Sequence, residues 1–346
     1  MLQRFLAGRG RSETSSEENG SNGKPAKEPP IGKLTTPRAR NSRRLWASRW
    51  RVGQANFYPD HRQLFERNLG RLIREYVIPG FAPPEPLLDR TDTVVTLGSC
   101  FAAELRTFLK KAGATSSSFK IPESLFNTYA ILDFFSWCAT GAETGRGFRY
   151  DRLAGGEICE WTPEAEREAY AAAFGEAGAF VFTIGLAEVW EDRETGGVFW
   201  RGIPEEIFDE DRHVSRVTTV EENAANLEQI IELVRRINAE APIVLTLSPV
   251  PLRATFQDMS CIAADCISKS VLRAALAEVM SKRLPGVYYW PSFEVVRWVG
   301  AHLGWPAYGV DDDKARHVTR YLVGEIMDAF VEAFYRPEAV EAMRAA

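Results

Sequence analysis

A serine and a cysteine stand where a short apolar segment gives way to a helical pattern. Residues 94–97, Val-Val-Thr-Leu, have the composition of a buried strand, and Gly98 follows them. Glycine permits the sharp bend that joins a strand to a helix. The N-terminus of that helix presents free N–H groups and a partial positive charge. A nucleophile at Ser99 would therefore have a neighbouring site for a developing oxyanion.

Cys100 is the competing nucleophile, because a helix N-terminus also lowers the pKa of a thiol. Adjacent side chains at such a turn point in different directions, so only one of Ser99 and Cys100 can face a site. Packing alone is a further explanation, since small residues are common where a strand meets a helix in α/β proteins. The serine therefore needs partners elsewhere in the chain.

Four histidines supply the only candidates for an imidazole base: His61, His213, His302 and His317. His317 directly precedes the last helical pattern, residues 318–335. His213 has Glu210 three residues before it, but its position is more typical of a surface or capping histidine. His61 and His302 look structural.

Alternating strand and helix patterns predict the elements that position these residues. Predicted strands cover residues 93–97, 179–185, 242–247 and 286–290. Predicted helices cover residues 101–112, 124–138, 163–174, 220–239, 269–283 and 318–335. The first three strands are continuous apolar runs, as in parallel sheets covered on both faces. We therefore expect a three-layer α/β/α sandwich with a mostly parallel sheet, whose sites form beyond the carboxyl ends of its strands.

Composition limits the class of protein. The 346 residues are 45% hydrophobic and 26% charged, with a net charge of −5, which is typical of a globular protein without a general attraction to nucleic acid or anionic membranes. Five cysteines without zinc-type spacing indicate free thiols in a reducing cytoplasm. We find no membrane-spanning run, metal-ligand cluster or phosphate-binding loop, and therefore expect neither a metal nor a cofactor.

Three regions follow along the chain. Residues 1–45 are polar and partly basic and predict a disordered tail, whose arginine cluster is either solvated or a weak contact to an acidic surface or nucleic acid. Residues 46–90 predict an extension that packs on the core. Residues 91–338 predict the main domain, in which residues 190–200 predict a small hairpin around Gly196 and Gly197.

Several segments resemble one family. The string Gly98-Ser99-Cys100-Phe101-Ala102 is the one that names the GSCFA domain family, a bacterial branch of the SGNH/GDSL-like hydrolases. Its other blocks are similar to residues 184–190, 245–252 with 254–255, 268–273 and 316–318. The resemblance covers roughly residues 90–335 and implies an SGNH-hydrolase-like, flavodoxin-like sandwich.

The resemblance implies a role for each matched position. Ser99 corresponds to the nucleophilic serine, and its own backbone N–H would supply one oxyanion donor. His317 would be the general base and later protonate the leaving group. A carboxylate would fix the histidine tautomer. SGNH-like enzymes usually place it three residues before the histidine, where this chain has Lys314, so Asp313 is the preferred partner and a Ser–His dyad oriented by a backbone carbonyl is the alternative.

The oxyanion site also departs from the superfamily pattern. Ala187 occupies the position of the usual asparagine, and a methyl group cannot donate a hydrogen bond. Asn127 is the candidate substitute, and helix capping is its alternative role. Glu188, beyond a core strand, is a candidate for acid/base work or for binding a sugar hydroxyl. Its alternative is a structural ion pair with an arginine such as Arg253 or Arg273.

These features predict a serine esterase or O-acyltransferase that acts on an acylated carbohydrate or a similar small ester. The substrate would be a small-molecule or polysaccharide ester. A second hypothesis is a non-catalytic module that binds sugar through Trp190, Trp200 and Glu188. A third is a thiol enzyme based on Cys100. The sequence does not predict an oligomeric state.

Overall fold

The structure is a computed structural model. It describes residues 56, 58–59, 62–117, 125–141, 150–152, 158–160, 164–200 and 202–345. The expected tail at residues 1–45, His61, and the side chain of Cys100 lie outside the described residues. The predictions made for them stay predictions.

Nine strands are described in these residues. They are β1 Val94–Gly98, β2 Ser116–Ser117, β3 Tyr150–Arg152, β4 Ile158–Glu160, β5 Ala179–Ile184, β6 Glu188–Asp192, β7 His213–Val217, β8 Ile243–Leu247 and β9 Val287–Trp290. Five of them form one sheet in the order β2-β1-β5-β8-β9, and every neighbouring pair is parallel. The four predicted strands are β1, β5, β8 and β9, so the predicted mostly parallel sheet is confirmed.

The α-helices of the described chain lie before, between and after these strands. They are α1 Arg62–Arg67, α2 Leu69–Leu72, α3 Cys100–Lys111, α4 Thr128–Thr140, α5 Glu164–Gly175, α6 Val220–Ile237, α7 Cys261–Ser281, α8 Ser292–Glu294, α9 Arg320–Phe334 and α10 Pro337–Ala345. Their ends follow local chemistry. Thr219, for example, starts α6 with a capping box to Glu222.

The sheet is buried on both faces, which makes three layers. Alternate residues of β1 face opposite sides, as strand geometry requires. Val95 and Leu97 join the apolar cluster formed with α4, α5, α6 and α7. Val94 joins the cluster formed with α3, α9, α10 and the buried residues of the segment 65–88. The expected α/β/α sandwich is therefore observed.

The first correction concerns the start of α7. The sequence predicted a helix that begins at Lys269, but α7 begins at Cys261. The Ser260 side chain caps it by accepting a hydrogen bond from the Ala263 N–H at 3.2 Å. Lys269 therefore lies in the middle of the helix, and it is buried there.

A second correction concerns the predicted hairpin. The turn around Gly196 and Gly197 is present, with the Asp192 N–H bonded to Gly197 O at 2.9 Å and a bridge between Glu191 and Val198. However, the main partner of β6 is β7, to which it pairs antiparallel over its full length. His213 is the first residue of β7 and therefore lies in this ribbon. The β6–β7 ribbon projects from the carboxyl end of β5.

Within the described residues, none of the helices has both the length and the apolar character that crossing a membrane requires.

Candidate active site at the carboxyl ends of the strands

The turn from β1 into α3 requires glycine. Gly98 has φ +113°, a conformation that side chains disfavour. A Cβ atom built on Gly98 would lie 2.1 Å from the carbonyl oxygen of Thr183 on β5. The backbone of β1 therefore approaches β5 more closely than any side chain allows, and this brings the next residue, Ser99, to the carboxyl edge of the sheet.

Ser99 caps α3. Its backbone is extended, with ψ 172°, and its Oγ accepts a hydrogen bond from the Phe101 N–H at 3.3 Å. The Ser99 hydroxyl donates to the Oγ of Ser248 at 2.9 Å. Ser248 follows β8 and is itself buried. The two hydroxyls thus form a polar pair between the carboxyl ends of β1 and β8. Ser99 is 8% exposed.

Gly185 completes this serine pair. A Cβ atom on Gly185 would lie 3.4 Å from the Cβ of Ser99 and 3.5 Å from the Cβ of Ser248. The residue therefore packs against both serines from the end of β5. Pro249 and Pro251 follow Ser248, and this pattern favoured a position that only shapes the rim of the site, so the sequence did not predict the pair. The place of Ser248 at the end of a strand adjacent to β5 was the signal that could have identified it.

The expected oxyanion donor at Ser99 is engaged elsewhere. The backbone N–H of Ser99 donates to the carbonyl oxygen of Thr183 at 3.1 Å, which continues the β1–β5 ladder. The backbone N–H groups of Gly185 and Leu186 both donate to Phe126 O, at 3.0 and 3.1 Å. In the structure as it stands, these three donors belong to the fold.

Asn127, the candidate substitute for the oxyanion donor, has a structural position at the start of α4. Its Oδ1 accepts from the Ala130 N–H at 2.8 Å and so caps α4. Its Nδ2 donates to the carbonyl oxygen of Trp200 at 3.2 Å. The side chain is 2% exposed. Capping, the alternative considered for this residue, is what the structure shows.

His317 is held by a carboxylate. Its Nδ1 lies 2.6 Å from Oδ2 of Asp312, while Oδ1 of Asp312 accepts from the Lys314 N–H at 3.2 Å. Burial raises the pKa of Asp312, but the hydrogen bonds from His317 and Lys314 outweigh it and leave that pKa below its ordinary value. The histidine is 41% exposed at its side chain. With Nδ1 bound, Nε2 is the ring atom that can take or give a proton.

The carboxylate partner is Asp312 rather than the expected Asp313. Asp313 lies in the left-handed region at φ +58°, and the N–H of His317 donates back to Lys314 O at 2.8 Å. This turn folds the loop so that the residue five positions before His317 reaches the ring. Asp311 has another task, since its carboxylate accepts from the Arg320 N–H at the start of α9.

A small cleft of about 100 Å³ lies beside His317. Phe101 and Glu104 of α3 line it together with Val250, Asp312 and His317. The histidine thus faces the first turns of the helix that Ser99 caps. The hydrogen bonds of the described residues do not include one between Ser99 and His317.

Two hydrogen bonds fasten the histidine loop to the segment after Ser248. Tyr308 donates its hydroxyl to Pro249 O at 2.9 Å, and Arg316 Nη1 donates to Pro251 O at 2.9 Å. The loop and the serine pair therefore share a common support. In the described part of the chain, no three side chains of the usual ligand types converge in a way that could hold a metal ion.

Glu188 joins two segments of the fold through its hydrogen bonds. Its carboxylate accepts from Thr255 Oγ1 at 2.6 Å, from the Phe256 N–H at 2.7 Å and from Gln257 Nε2 at 2.8 Å. These neutral donors fasten the loop after β8 to the base of the β6–β7 ribbon. Arg273, a suggested ion-pair partner, binds Glu294 instead.

The remaining candidates separate into buried and accessible groups. His213 is buried rather than on the surface, with its Nδ1 accepting from the Asp209 N–H at 3.0 Å. Trp200 is buried and donates its Nε1–H to Asp133 at 2.8 Å. His302 bonds to the Tyr58 hydroxyl at 2.8 Å, as a structural histidine would. Trp190 is partly exposed and packs against the exposed Phe256 with ring centroids 4.8 Å apart.

Lys269 is the residue near the serine pair that sequence reasoning missed. Its ammonium donates to the carbonyl oxygen of Gly185 at 2.6 Å, and the side chain is buried. The adjacent Ser268 accepts from the Ala187 N–H at 2.9 Å. The available signal was periodicity, since Lys269 falls three residues before the buried Leu272 on the apolar side of α7.

Fold and site together define an α/β/α sandwich protein with a buried serine at the end of its first core strand and a carboxylate-bound histidine before its last long helix. The GSCFA family model matches residues 156–330, just over half of the chain. The chain belongs to the GSCFA family. The matched segment includes Ser248, Lys269 and His317 and begins after Ser99. No curated protein matches the chain.

Proposed function

We propose that this protein is a serine-dependent esterase or O-acyltransferase that acts on an acylated carbohydrate or a similar small ester. The observation that carries the proposal is the bond between His317 Nδ1 and Asp312. It leaves Nε2 as the proton acceptor on a loop that faces the first turns of α3, the helix that Ser99 caps. A carboxylate-oriented imidazole near a serine at a helix N-terminus is the arrangement that nucleophilic acyl transfer uses.

The proposed reaction has two steps. Ser99 Oγ bonds to the acyl carbon while its proton passes to His317 Nε2. The ester C–O bond then breaks, and the departing alcohol takes that proton, which leaves an acyl group on Ser99. Water or a sugar hydroxyl next gives its proton to His317 and attacks the acyl carbon, and Ser99 leaves with the proton returned. Water gives hydrolysis, and a sugar hydroxyl gives acyl transfer.

The cleft between α3 and the His317 loop, with a volume of about 100 Å³, lies beside the proposed base. For attack, the Ser99 hydroxyl must turn away from Ser248, to which it donates in the described state. Asp312 would orient His317, and Asp313 would have no direct part in proton transfer.

A second candidate is a non-catalytic carbohydrate-binding protein. The observation that favours it is the engagement of the Ser99 N–H by Thr183 O and of Asn127 by Ala130 and Trp200. Loss of an oxyanion donor costs on the order of 10²–10³ in rate. Of the residues expected to bind sugar, Trp190 is the accessible one, beside the exposed Phe256.

Labelling with a fluorophosphonate probe tests the proposal. We expect the wild-type protein to be labelled, and Ser99→Ala and His317→Ala to lose the label while remaining folded. Ser281→Ala is the matched control, since Ser281 is an exposed serine at the far end of α7 and should not affect labelling. Cys100→Ala should also keep the label, whereas a thiol enzyme would escape this serine-directed probe and would be inactivated by mild alkylation.

The opposite result would favour the second candidate. In that case, the folded wild-type protein would remain unlabelled. It would bind an oligosaccharide, and Trp190→Ala would abolish that binding. A matched control for the binding assay is Trp298→Ala, because Trp298 is 64% exposed and lies on the segment after α8.

A further inference from the structure

A lysine ammonium is buried directly behind the serine pair. Lys269 is 3% exposed, and its Nζ donates to Gly185 O at 2.6 Å. In the described part of the chain this is the one hydrogen bond recorded for an ammonium with three N–H donors. Burying a cation with so few partners is costly, and proteins rarely retain such a group without a use for its charge.

The charged groups that face Lys269 are Asp265, one turn earlier on α7, and Arg297, on the π-helical segment Val295–Val299. Asp265 is itself paired with Arg297 and also accepts from the Leu252 N–H at 2.9 Å. Burial lowers the pKa of Lys269 to about 8, Asp265 opposes this effect, and Arg297 adds to it. The carboxylate of Asp265 is thus shared, and the charge of Lys269 is left incompletely balanced.

Gly185 links this charge to the serines. The Gly185 carbonyl receives the Lys269 ammonium, and the Gly185 Cα faces the Cβ atoms of Ser99 and Ser248. Two further hydrogen bonds hold the same segment, from the Gly185 N–H to Phe126 O and from the Ala187 N–H to Ser268 Oγ. The ammonium is therefore one residue away from the Ser99 side chain.

We propose that Lys269 is a positioning residue for Ser99: its buried ammonium fixes the Gly185 carbonyl behind the serine pair and supplies the positive charge that favours an anionic oxygen at Ser99. The inference rests on the proposed nucleophilic role of Ser99. Lys269 acts through Gly185 and through the electric field of its ammonium, since Nζ donates to the carbonyl oxygen and not to either serine hydroxyl.

A fixed charge in a site that excludes water stabilises a developing negative charge without reorganisation during the reaction. This role differs from that of a structural hydrogen bond. Ser268 provides such a bond to the N–H of Ala187, two residues after Gly185. A neutral donor could hold the Gly185 carbonyl equally well, but it could not favour an anion at Ser99. The two roles can therefore be separated by experiment.

The test uses the Ser99→Cys variant, so that an anion at position 99 can be titrated directly. The rate of iodoacetamide alkylation of the introduced thiol is measured against pH, with mass spectrometry to separate it from the native cysteines. The same measurement is made after Lys269→Met, which removes the charge and the donor, and after Lys269→Gln, which keeps a donor for Gly185 O. Ser268→Ala and Lys282→Met are the controls, because Ser268 is a neutral support of the same segment and Lys282 pairs with Glu228 near the opposite edge of the sheet.

We expect both Lys269 substitutions to raise the pKa of the introduced thiol by about one unit, since removing a nearby cation disfavours the thiolate. The two controls should leave that pKa unchanged. An unchanged thiol pKa in the Lys269 variants, or an equal rise in Ser268→Ala, would overturn the proposal. A Lys269→Gln protein that does not fold would also overturn it, because that result would show that the charge is needed for folding.

The thiol titration requires no esterase activity, so it separates this inference from the proposed function. With Ser99 intact, Lys269→Gln should lower the rate of fluorophosphonate labelling about tenfold. Labelling of the wild type at the same rate as Lys269→Gln would contradict the positioning role alone. Absence of labelling in the wild type, together with a raised pKa of the thiol at position 99 in the Lys269 variants, would contradict the esterase proposal and leave the charge effect of Lys269 intact.

Discussion

The two halves of the candidate site are supported in different ways. Ser99 and Ser248 lie at the ends of core strands, and their backbone N–H groups donate to carbonyl oxygens of β5. Both side chains are buried. His317 and Asp312 lie on a loop, with side chains 41% and 33% exposed, and that loop is fastened by the side chains of Tyr308 and Arg316.

This contrast indicates where each kind of variant should act. The position of the serines is a property of the sheet, so changes there should affect the free energy of unfolding. The position of the histidine is a property of one loop, so changes there should affect reactivity and leave the fold intact. Loops on a rigid scaffold often carry the adjustable part of a site.

The largest effect should come from Gly98→Ala. The new methyl group would lie 2.1 Å from the carbonyl oxygen of Thr183, at a φ of +113° that alanine disfavours. Because that carbonyl belongs to the central sheet, it cannot move without loss of strand pairing. We expect a loss of more than about 4 kcal/mol in unfolding free energy, measured by urea denaturation.

Gly304→Ala is the control for Gly98→Ala. A Cβ atom on Gly304 would meet no heavy atom within 4 Å, and we expect a change of less than about 1 kcal/mol. Comparable stabilities for the two variants would contradict the view that the β1–β5 approach fixes the serine position.

The next effect concerns Lys269 and has a definite sign with pH. The pKa of Lys269 in the fold is about 8, below the value of about 10.4 in an unfolded chain. Between these two values the unfolded chain binds more protons, so the wild type gains stability as the pH rises. Lys269→Met lacks this group. We expect the stability of the wild type relative to Lys269→Met to increase by roughly 2–3 kcal/mol between about pH 7 and 10, measured by urea denaturation at each pH.

Lys282→Met controls for alkaline effects unrelated to burial. Lys282 is half exposed and paired with Glu228, so its removal should give a difference that is nearly flat with pH. A flat difference for Lys269→Met as well would show that its ammonium is not held away from water in solution.

A smaller effect, confined to reactivity, should separate Asp312 from Asp313. Asp312→Asn replaces the carboxylate that holds His317 Nδ1 and should slow fluorophosphonate labelling about 10- to 100-fold, equivalent to about 1.4–2.7 kcal/mol. Asp313→Asn keeps a residue that tolerates the left-handed conformation and should label within about twofold of the wild type. The reverse order of the two variants would mean that the loop rearranges when the site is active.

The same contrast explains what could be predicted from the sequence. All four longer strands of the sheet were predicted to within one residue at each end, and the continuous apolar runs of the first three reflect strands that are buried on both faces. Gly98 and Ser99 were predicted at the correct turn, since the change from strand to helix pattern is local. The His317 loop was predicted less well, because sequence spacing does not reveal that Asp313 adopts a left-handed turn.

The contacts that the sequence did not predict share a physical origin, since they join distant segments of the chain. Glu188 is satisfied by the segment 255–257, and Asn127 by Trp200, far along the chain in each case. The bond from Lys269 to Gly185 spans two elements in the same way. No local pattern encodes such pairings. The sequence therefore identified residues capable of chemistry without showing which of their side chains are hydrogen-bonded within the fold.

Asn127 offers the smallest effect and the sharpest division between fold and site. If it only caps α4, Asn127→Ala should cost about 1–2 kcal/mol in unfolding free energy and leave the fluorophosphonate labelling rate within about twofold of the wild type. Asn127→Asp keeps the Oδ1 acceptor for the Ala130 N–H, but it sets a buried carboxylate oxygen against Trp200 O, so it should be the less stable of the two variants. A donor to an oxyanion would behave oppositely, because both substitutions would then slow labelling by on the order of 10²–10³ whatever their stability. Since Nδ2 already donates to Trp200 O inside the core, we expect the stabilities of the two variants to differ and their labelling rates to agree.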